Sequence, residues 1–325
     1  MQNITSSVNV NIKYQTKAYI NLHFIKTMSH YLETNVSFSD RIFSYINFLK
    51  SYIDFMNLYR KRYKNFVSVI IHVLRNDYPI KAICRRGDNM IINGYQEVYN
   101  NLMEMDIDAS HDLVYFDGLS FHGGKTNGDI LNIFKKNEYS FLPVTEKEVI
   151  DIGANIGDSS IYFANRGAKY VIAVEPDRIS YDYAVKNIAI NGYSDTIKLI
   201  LAACGSKDKF VSENELQFLT LKTLIKKYCS YPKILKVDCE GCEYDLILNA
   251  SIDDLSKFSH IQIEYHFGYQ NLKTKLEECG FEVTCTKPSY FIPMNKNRMT
   301  RLVSDGNISR TAPMFIGWLY ATRLK

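Results

Sequence analysis

The chain has 325 residues, enough to bury a full core and to hold one large domain or two smaller ones. Apolar residues make up 46% and charged residues 23%, an ordinary globular balance. A net charge of +4 and a pI of 8.5 are too mild for a nucleic-acid binder, whose domains usually show a pI above about 9 and a basic stripe.

No run of about 18 apolar residues predicts a membrane-spanning helix. The opening MQNITSSVNVNIKYQTK lacks the apolar centre and cleavage site of a secretory signal. Seven cysteines, odd in number and scattered, suit free thiols in a reducing cytoplasm better than a disulfide framework. Without a secretory route, the Asn-x-Ser/Thr triplets at Asn3, Asn35, Asn249 and Asn307 are read as chance.

In chain order, residues 1–80 read as a helical region. Apolar residues recur from Ile42 at Tyr45, Ile46, Leu49, Ile53 and Met56, the spacing of one helix face, and Phe43, Phe48 and Phe55 widen that face. Such a helix should be largely covered, as a cap on the main domain, a dimer surface or an interfacial membrane contact. After the basic cluster Arg60, Lys61, Arg62 and Lys64 comes FVSVIIHVL, a short buried helix or strand. Residues 81–142 alternate turn signals with short apolar runs, a connecting lobe of short strands. From 143 to 325 strands alternate with helices, which predicts an α/β domain with a doubly wound, Rossmann-like parallel sheet. The strands are expected at 148–152, 170–175, 197–201, 234–238, 261–265, 281–285 and 314–320. Asp158 is placed to cap the first helix of this domain, and a second helix runs over 178–191 to Gly192.

The stretch VIDIGANIGDSSIYFA, residues 149–164, is a strand, a glycine turn and a helix start. A nucleoside triphosphate loop would need a Lys that is missing here. The dinucleotide fingerprint needs three glycines, yet Asn155 and Asp158 stand where the second and third belong, and Asp158 would repel a pyrophosphate. S-adenosylmethionine carries a sulfonium and an ammonium and tolerates acids at the turn. Gly153 and Gly157 let backbone approach it, Asn155 can take a positive φ, and Asp151 can orient its amino-acid portion. Glu175, ending YVIAVE, sits where a carboxylate accepts ribose hydroxyls.

VIDIGANIGDSSIYFA, VIAVEP and ILKVDCEGCEYDLI together resemble the FkbM family of S-adenosylmethionine-dependent methyltransferases, over about residues 143–285. The resemblance implies the class I methyltransferase fold, S-adenosylmethionine as cofactor, and O-methylation of a sugar or related small molecule. The cofactor residues are then Asp151, Gly153, Asn155, Gly157, Glu175 and Pro176.

LKVDCEGCEYDL, residues 235–246, ends a second strand in Asp238, followed by Glu240 and Glu243. Ligands of open parallel sheets bind beyond the C-terminal strand ends, so Asp238 and Glu240 should face the transferred methyl group, with Glu243 only a first-turn helix acid. Glu264 and His266 in IQIEYHFG join them as candidate general bases. Asp238, Glu240 and Glu264 could make a hard oxygen site for Mg²⁺, but nothing in their spacing demands it and no metal is expected. Cys239 and Cys242, lacking two further ligands for zinc, are read as packing residues. GLSFHGGKTNGD imitates a phosphate loop with its Lys one place late, and is read as a loop whose His122 and Lys125 could touch substrate. Glu138 and Tyr139 could reach the methionine portion.

The expected protein is a cytoplasmic O-methyltransferase with a small-molecule acceptor, free of nucleic-acid partners by charge and open to forming a homodimer. The rival readings are an NAD-dependent oxidoreductase and a non-catalytic S-adenosylmethionine-fold binding protein.

Overall fold

A computed structural model describes residues 38–85, 87, 89–102, 106–108, 111–124, 129–212, 216–287, 289–290 and 315–324. The 3.6-residue apolar period builds two helices, α1 (Phe38–Arg62) and α2 (Phe66–Arg75), so FVSVIIHVL is helical. They pack with the antiparallel pair β1 (Ile80–Ile83) and β2 (Asn89–Ile92) and with α3 (Tyr95–Leu102). Tyr59, Tyr63, Val69, Ile80, Ile92 and Val98 form the core of this unit, which therefore continues past residue 80. Contrary to expectation, no described element covers Ile42, Ile46, Leu49 and Ile53, which stand exposed along α1. No described helix is long and apolar enough to cross a membrane.

A three-stranded meander follows: β3 (Asp106–Asp108), β4 (Leu113–Phe116) and β5 (Leu119–His122). Asp117 and Gly118 join the last two strands with φ of 49° and 80°, the two left-handed positions that an Asp-Gly hairpin supplies cheaply. Much of the imitation phosphate loop is thus strand; its Lys125, Asn127 and Gly128 lie outside the described residues. His122 is tied by its backbone to Asn187, which accepts from the His122 N–H at 2.7 Å and donates to the Ile156 carbonyl at 2.9 Å. One buried amide side chain therefore holds the meander against the glycine turn.

The main domain begins at β6 (Glu148–Ile152), followed by α4 (Asp158–Asn165), β7 (Tyr170–Glu175), α5 (Arg178–Ile190) and β8 (Ile197–Leu201). A small sheet not foreseen from sequence comes next, with β9 (Ala203–Cys204), β10 (Lys209–Val211) and β11 (Leu216–Leu219). Then come α6 (Leu221–Tyr228), β12 (Pro232–Val237), α7 (Cys242–Leu248), α8 (Ile252–Leu255), β13 (His260–Tyr265), α9 (Gln270–Glu278), β14 (Phe281–Cys285), β15 (Ser289–Tyr290) and β16 (Phe315–Arg323). Met314, expected to open the last strand, lies outside the described residues.

The central sheet has the order β14-β16-β13-β12-β6-β7-β8. Pairings among β13, β12, β6, β7 and β8 are parallel, and β16 inserts antiparallel to β13 and β14. Both faces are covered. Val149, Val171, Ala173 and Ile234 point into one core, and Ile150, Ile172, Val174, Leu235 and Val237 into the other, the two-residue alternation of a strand buried on both sides. The strand order reverses between β6 and β12. That gap is where an open sheet of this kind binds its ligand.

Register puts Asp151 of β6 directly beside Lys236 of β12, on the same face. Both are buried, and Lys236 Nζ lies 3.0 Å from Asp151 Oδ1. The same ammonium donates to the Gly153 carbonyl at 2.7 Å and sits 5.6 Å from the centre of the Tyr139 ring. Ser159 and Ser160, in the first turn of α4, donate to Asp151 Oδ2 at 2.6 Å each. Burial disfavours the Lys236 charge, but Asp151 and Asp238 more than offset it and its pKa is raised. One ion pair thus joins β6, β12, the glycine turn and α4.

Two stability predictions follow from this packing. Gly153 has φ 81°, and a Cβ there would overlap the Asp238 carbonyl of β12's exit. Gly153→Ala should lose about 3 kcal/mol or more in urea unfolding, whereas Gly192→Ala, at φ 76° in open space, should lose only the backbone strain of about 1 kcal/mol. Lys236→Met strands a buried carboxylate and should cost about 3–5 kcal/mol. The double change with Asp151→Asn should recover much of that, and an additive double variant would refute the pairing.

Candidate active site

At the gap between β6 and β12 a shallow cleft is lined mainly by apolar and small residues: Ile152, Gly153, Val174, Pro176, Ala203 and Cys204 among them. Glu175 closes its edge. It is 7% exposed, and its two carboxylate oxygens accept the Asn155 and Asp177 N–H groups at 2.8 Å each. Burial raises its pKa to about 7 against the pull of those two hydrogen bonds. Each oxygen keeps a lone pair for a further donor.

The turn above Glu175 has the strained backbone expected of it. Asn155 takes φ 49° and Gly157 φ 85°, and a side chain at Gly157 would press on Ala184 of α5. Gly157, not Asp158, occupies the cap of α4. Asp158 is the first helical residue, and its Oδ2 accepts the Asp129 N–H at 2.9 Å. The reason is steric: only a residue tolerant of positive φ fits the cap, so the acid moves one place inward. Asp151 also departs from its expected place. It is fully enclosed beneath the turn, with both oxygens engaged by Lys236, Ser159 and Ser160, so it shapes the cradle and does not line it.

The rim is acidic. Burial, then the neighbouring Asp129 carboxylate, raises Asp158 to about 7. Burial, then Asp129 and Asp238, does the same for half-buried Glu138. Tyr139 is buried against Tyr162, Phe163 and Trp318 and belongs to the floor.

The second group of residues gathers where β12 and β13 end. Asp238, Glu264 and His266 each bring one ligand-type atom to within 4.8 Å of the others. Glu240 stands beside them at φ 56°, a left-handed conformation rare for glutamate, and exposes its side chain. Glu243 is more than a first-turn acid. It is fully buried, and accepts from the Gly241 N–H at 2.9 Å through Oε2 while its Oε1 meets His266 Nδ1 at 2.8 Å. Two of the four candidate bases have raised pKa values. Burial pushes the His266 pKa down, but Glu243, with Glu240 and Glu264, raises it well above its ordinary value. Burial and the adjacent Asp238 charge push Glu264 up to about 10, and it hydrogen-bonds Asp238 as a neutral acid.

Cys239 and Cys242 are joined by a disulfide with Cα atoms 5.4 Å apart, which corrects their reading as unlinked packing residues. The tight Glu240–Gly241 turn brings the two sulfurs together at the start of α7, against the cleft. Cys84, Cys204, Cys229 and Cys279 carry free thiols. Lys236, Ser159, Ser160 and Asn187 were not legible as site residues. Lys236 shares the face of Ile234 and reads as an ordinary strand position, and only the β6–β12 pairing discloses its partner.

Residues 151–283 match the profile of the methyltransferase FkbM domain. Protein arginine N-methyltransferase 1 of Oryza sativa subsp. indica is 33% identical over 100 residues, 31% of this chain and 23% of that protein, so the match spans under a quarter of that relative. Among solved structures, methyltransferase FkbM from Methylobacillus flagellatus KT aligns with a TM-score of 0.39 at 15% identity, covering 54% of this chain and 43% of that one. M. capricolum TrmK, in complex with S-adenosyl-homocysteine, aligns with a TM-score of 0.39 at 15% identity, covering 59% and 69%. The strand order, not these distant alignments, carries the fold, and within it residues 151–283 are similar to the methyltransferase FkbM domain.

Proposed function

We propose that the protein transfers a methyl group from S-adenosylmethionine to a hydroxyl of a sugar or related small molecule. The observation that carries the cofactor half is Glu175: a buried carboxylate with spare lone pairs at the edge of an apolar cleft, on the strand next to a glycine turn. It suits a ribose, and the cleft suits an adenine. Bound there, S-adenosylmethionine supplies a sulfonium-activated methyl group. The carboxylates of Glu138 and Asp158 near the turn, when ionised, favour that cation and disfavour the pyrophosphate of NAD.

The chain's own work is placement and proton handling. Holding the acceptor in line with the methyl group is worth roughly 7–11 kcal/mol. Glu240, exposed at the turn, receives the hydroxyl proton, and Asp238, bridged to neutral Glu264, orients the acceptor. The hydroxyl acceptor rests on the family resemblance. The likeness to an arginine methyltransferase, together with these carboxylates, supports guanidine nitrogen as a second reading, although the His266 charge weakens it. Acid hydrolysis of a labelled product separates the two, since only a methylated arginine would co-migrate with a basic amino-acid standard.

Affinity for S-adenosylmethionine should depend on pH through Glu175. A carboxylate accepts two ribose hydroxyls and a protonated acid loses one such acceptor, so binding should weaken about tenfold from pH 8 to pH 6, given a pKa of about 7. Calorimetric titration checks this. Glu175→Gln should bind weakly at both pH values with a flattened slope, and a slope unchanged by the substitution would remove the assignment. Labelled-methyl transfer into an acceptor extract should fall about 10²–10⁴-fold in Glu240→Gln with cofactor affinity retained. Full turnover in that variant would contradict the proton-accepting role, and no transfer by the unaltered protein to any acceptor would favour a binding protein.

A further inference from the structure

We propose that Asp238, Glu264 and His266 form a binding site for one divalent first-row metal ion, with Mn²⁺ as its representative. The sequence spacing calls for no metal, because the three residues come from the ends of two strands, β12 and β13, and meet only in the fold.

Three features of the geometry lead here. The first is the donor set: two carboxylates and one imidazole with an atom apiece inside a 4.8 Å circle. Ligand atoms about 2.1–2.2 Å from one ion, at ordinary coordination angles, lie about 3.0–3.8 Å from each other. His266 Nε2 stands 3.7 Å from Glu264 Oε2, inside that range and too far for a hydrogen bond.

The second feature is how His266 is held. Its Nδ1 is fixed by the fully buried Glu243 at 2.8 Å, and Glu243 is itself fixed by the Gly241 N–H at 2.9 Å. Metal-ligating histidines are almost always oriented this way, with one ring nitrogen on a carboxylate and the other turned to the ion. The third is that other nitrogen. His266 is 2% exposed, and its Nε2 faces the carboxylates, 3.6 Å from Glu240 Oε2 and 3.7 Å from Glu264 Oε2.

Imidazole beside two carboxylates favours Mn²⁺, Fe²⁺, Co²⁺ or Zn²⁺ over Ca²⁺ and Mg²⁺, which prefer oxygen alone. The partly exposed Glu240 side leaves coordination positions open to water or an acceptor oxygen. Ligation requires the unprotonated imidazole and carboxylate, so the ion displaces protons and its affinity should rise with pH.

The test is Mn²⁺ titration of the chelator-stripped full chain, read by electron paramagnetic resonance. One equivalent should bind, and the bound spectrum should carry nitrogen hyperfine coupling from one imidazole. Glu264→Gln, a near-isosteric change at a half-buried position, should weaken Mn²⁺ about tenfold or more, and Glu243→Gln about 10–100-fold through loss of ring orientation. S-adenosylmethionine affinity, set across the cleft at Glu175, reports that each variant is folded. Absence of stoichiometric Mn²⁺ binding would overturn the site, as would bound Mn²⁺ without nitrogen coupling, or affinity unchanged in folded Glu264→Gln. None of these results touches the methyltransferase reading, which fails separately if S-adenosylmethionine does not bind.

Discussion

A buried ammonium holds this molecule's two halves in register. Lys236 reaches sideways from β12 to the Asp151 carboxylate and upward to the Gly153 carbonyl, at 3.0 and 2.7 Å. An isolated charge at that depth would be prohibitive, and even a buried pair contributes little net stability. What it contributes is geometry. It sets the height of the glycine turn, the side-by-side placement of β6 and β12, and through Ser159 and Ser160 the start of α4. Gly153 can then lie against the Asp238 carbonyl with no room for a side chain. Both functional groups of residues follow from that contact, one on each side of it.

Electrostatically the cleft is divided. On the Glu175 side, carboxylates are buried with spare acceptor capacity and titrate near neutrality, which suits neutral hydroxyls and a cationic donor. On the Asp238 side, a histidine of raised pKa and a neutral carboxylic acid moderate the crowding of Asp238, Glu240 and Glu243. Like charges placed this closely cannot all ionise unless something positive joins them. His266 does this from within the fold, and a divalent cation would do so more completely.

Much of the sheet could be read from the chain because its strands are buried on both faces. EVIDI and YVIAVE are such apolar runs, FEVTC alternates as an edge strand with one face exposed, and all three fall at the expected positions. Strand order was not legible, since nothing in a run of Val and Ile names its neighbour. Glu175 and Asn155 could be placed because a strand end and a left-handed turn leave local marks. Asp151 and Lys236 could not, because their partnership is a matter of lateral register. His266 was legible as a candidate, but its raised pKa comes from Glu243, 23 residues earlier in the chain. The Cys239–Cys242 link was missed because a single pair in a scattered set of thiols carries no signal of its own until the Glu240–Gly241 turn folds it together.

The most direct test of the central claim is a crystal structure with S-adenosylhomocysteine. The account predicts both ribose hydroxyls on the Glu175 carboxylate, the adenine in the cleft beside Pro176 and Ala203, and the sulfur directed toward Asp238 and Glu240. A nucleoside seated elsewhere, with Glu175 still bonded only to the Asn155 and Asp177 amides, would contradict it.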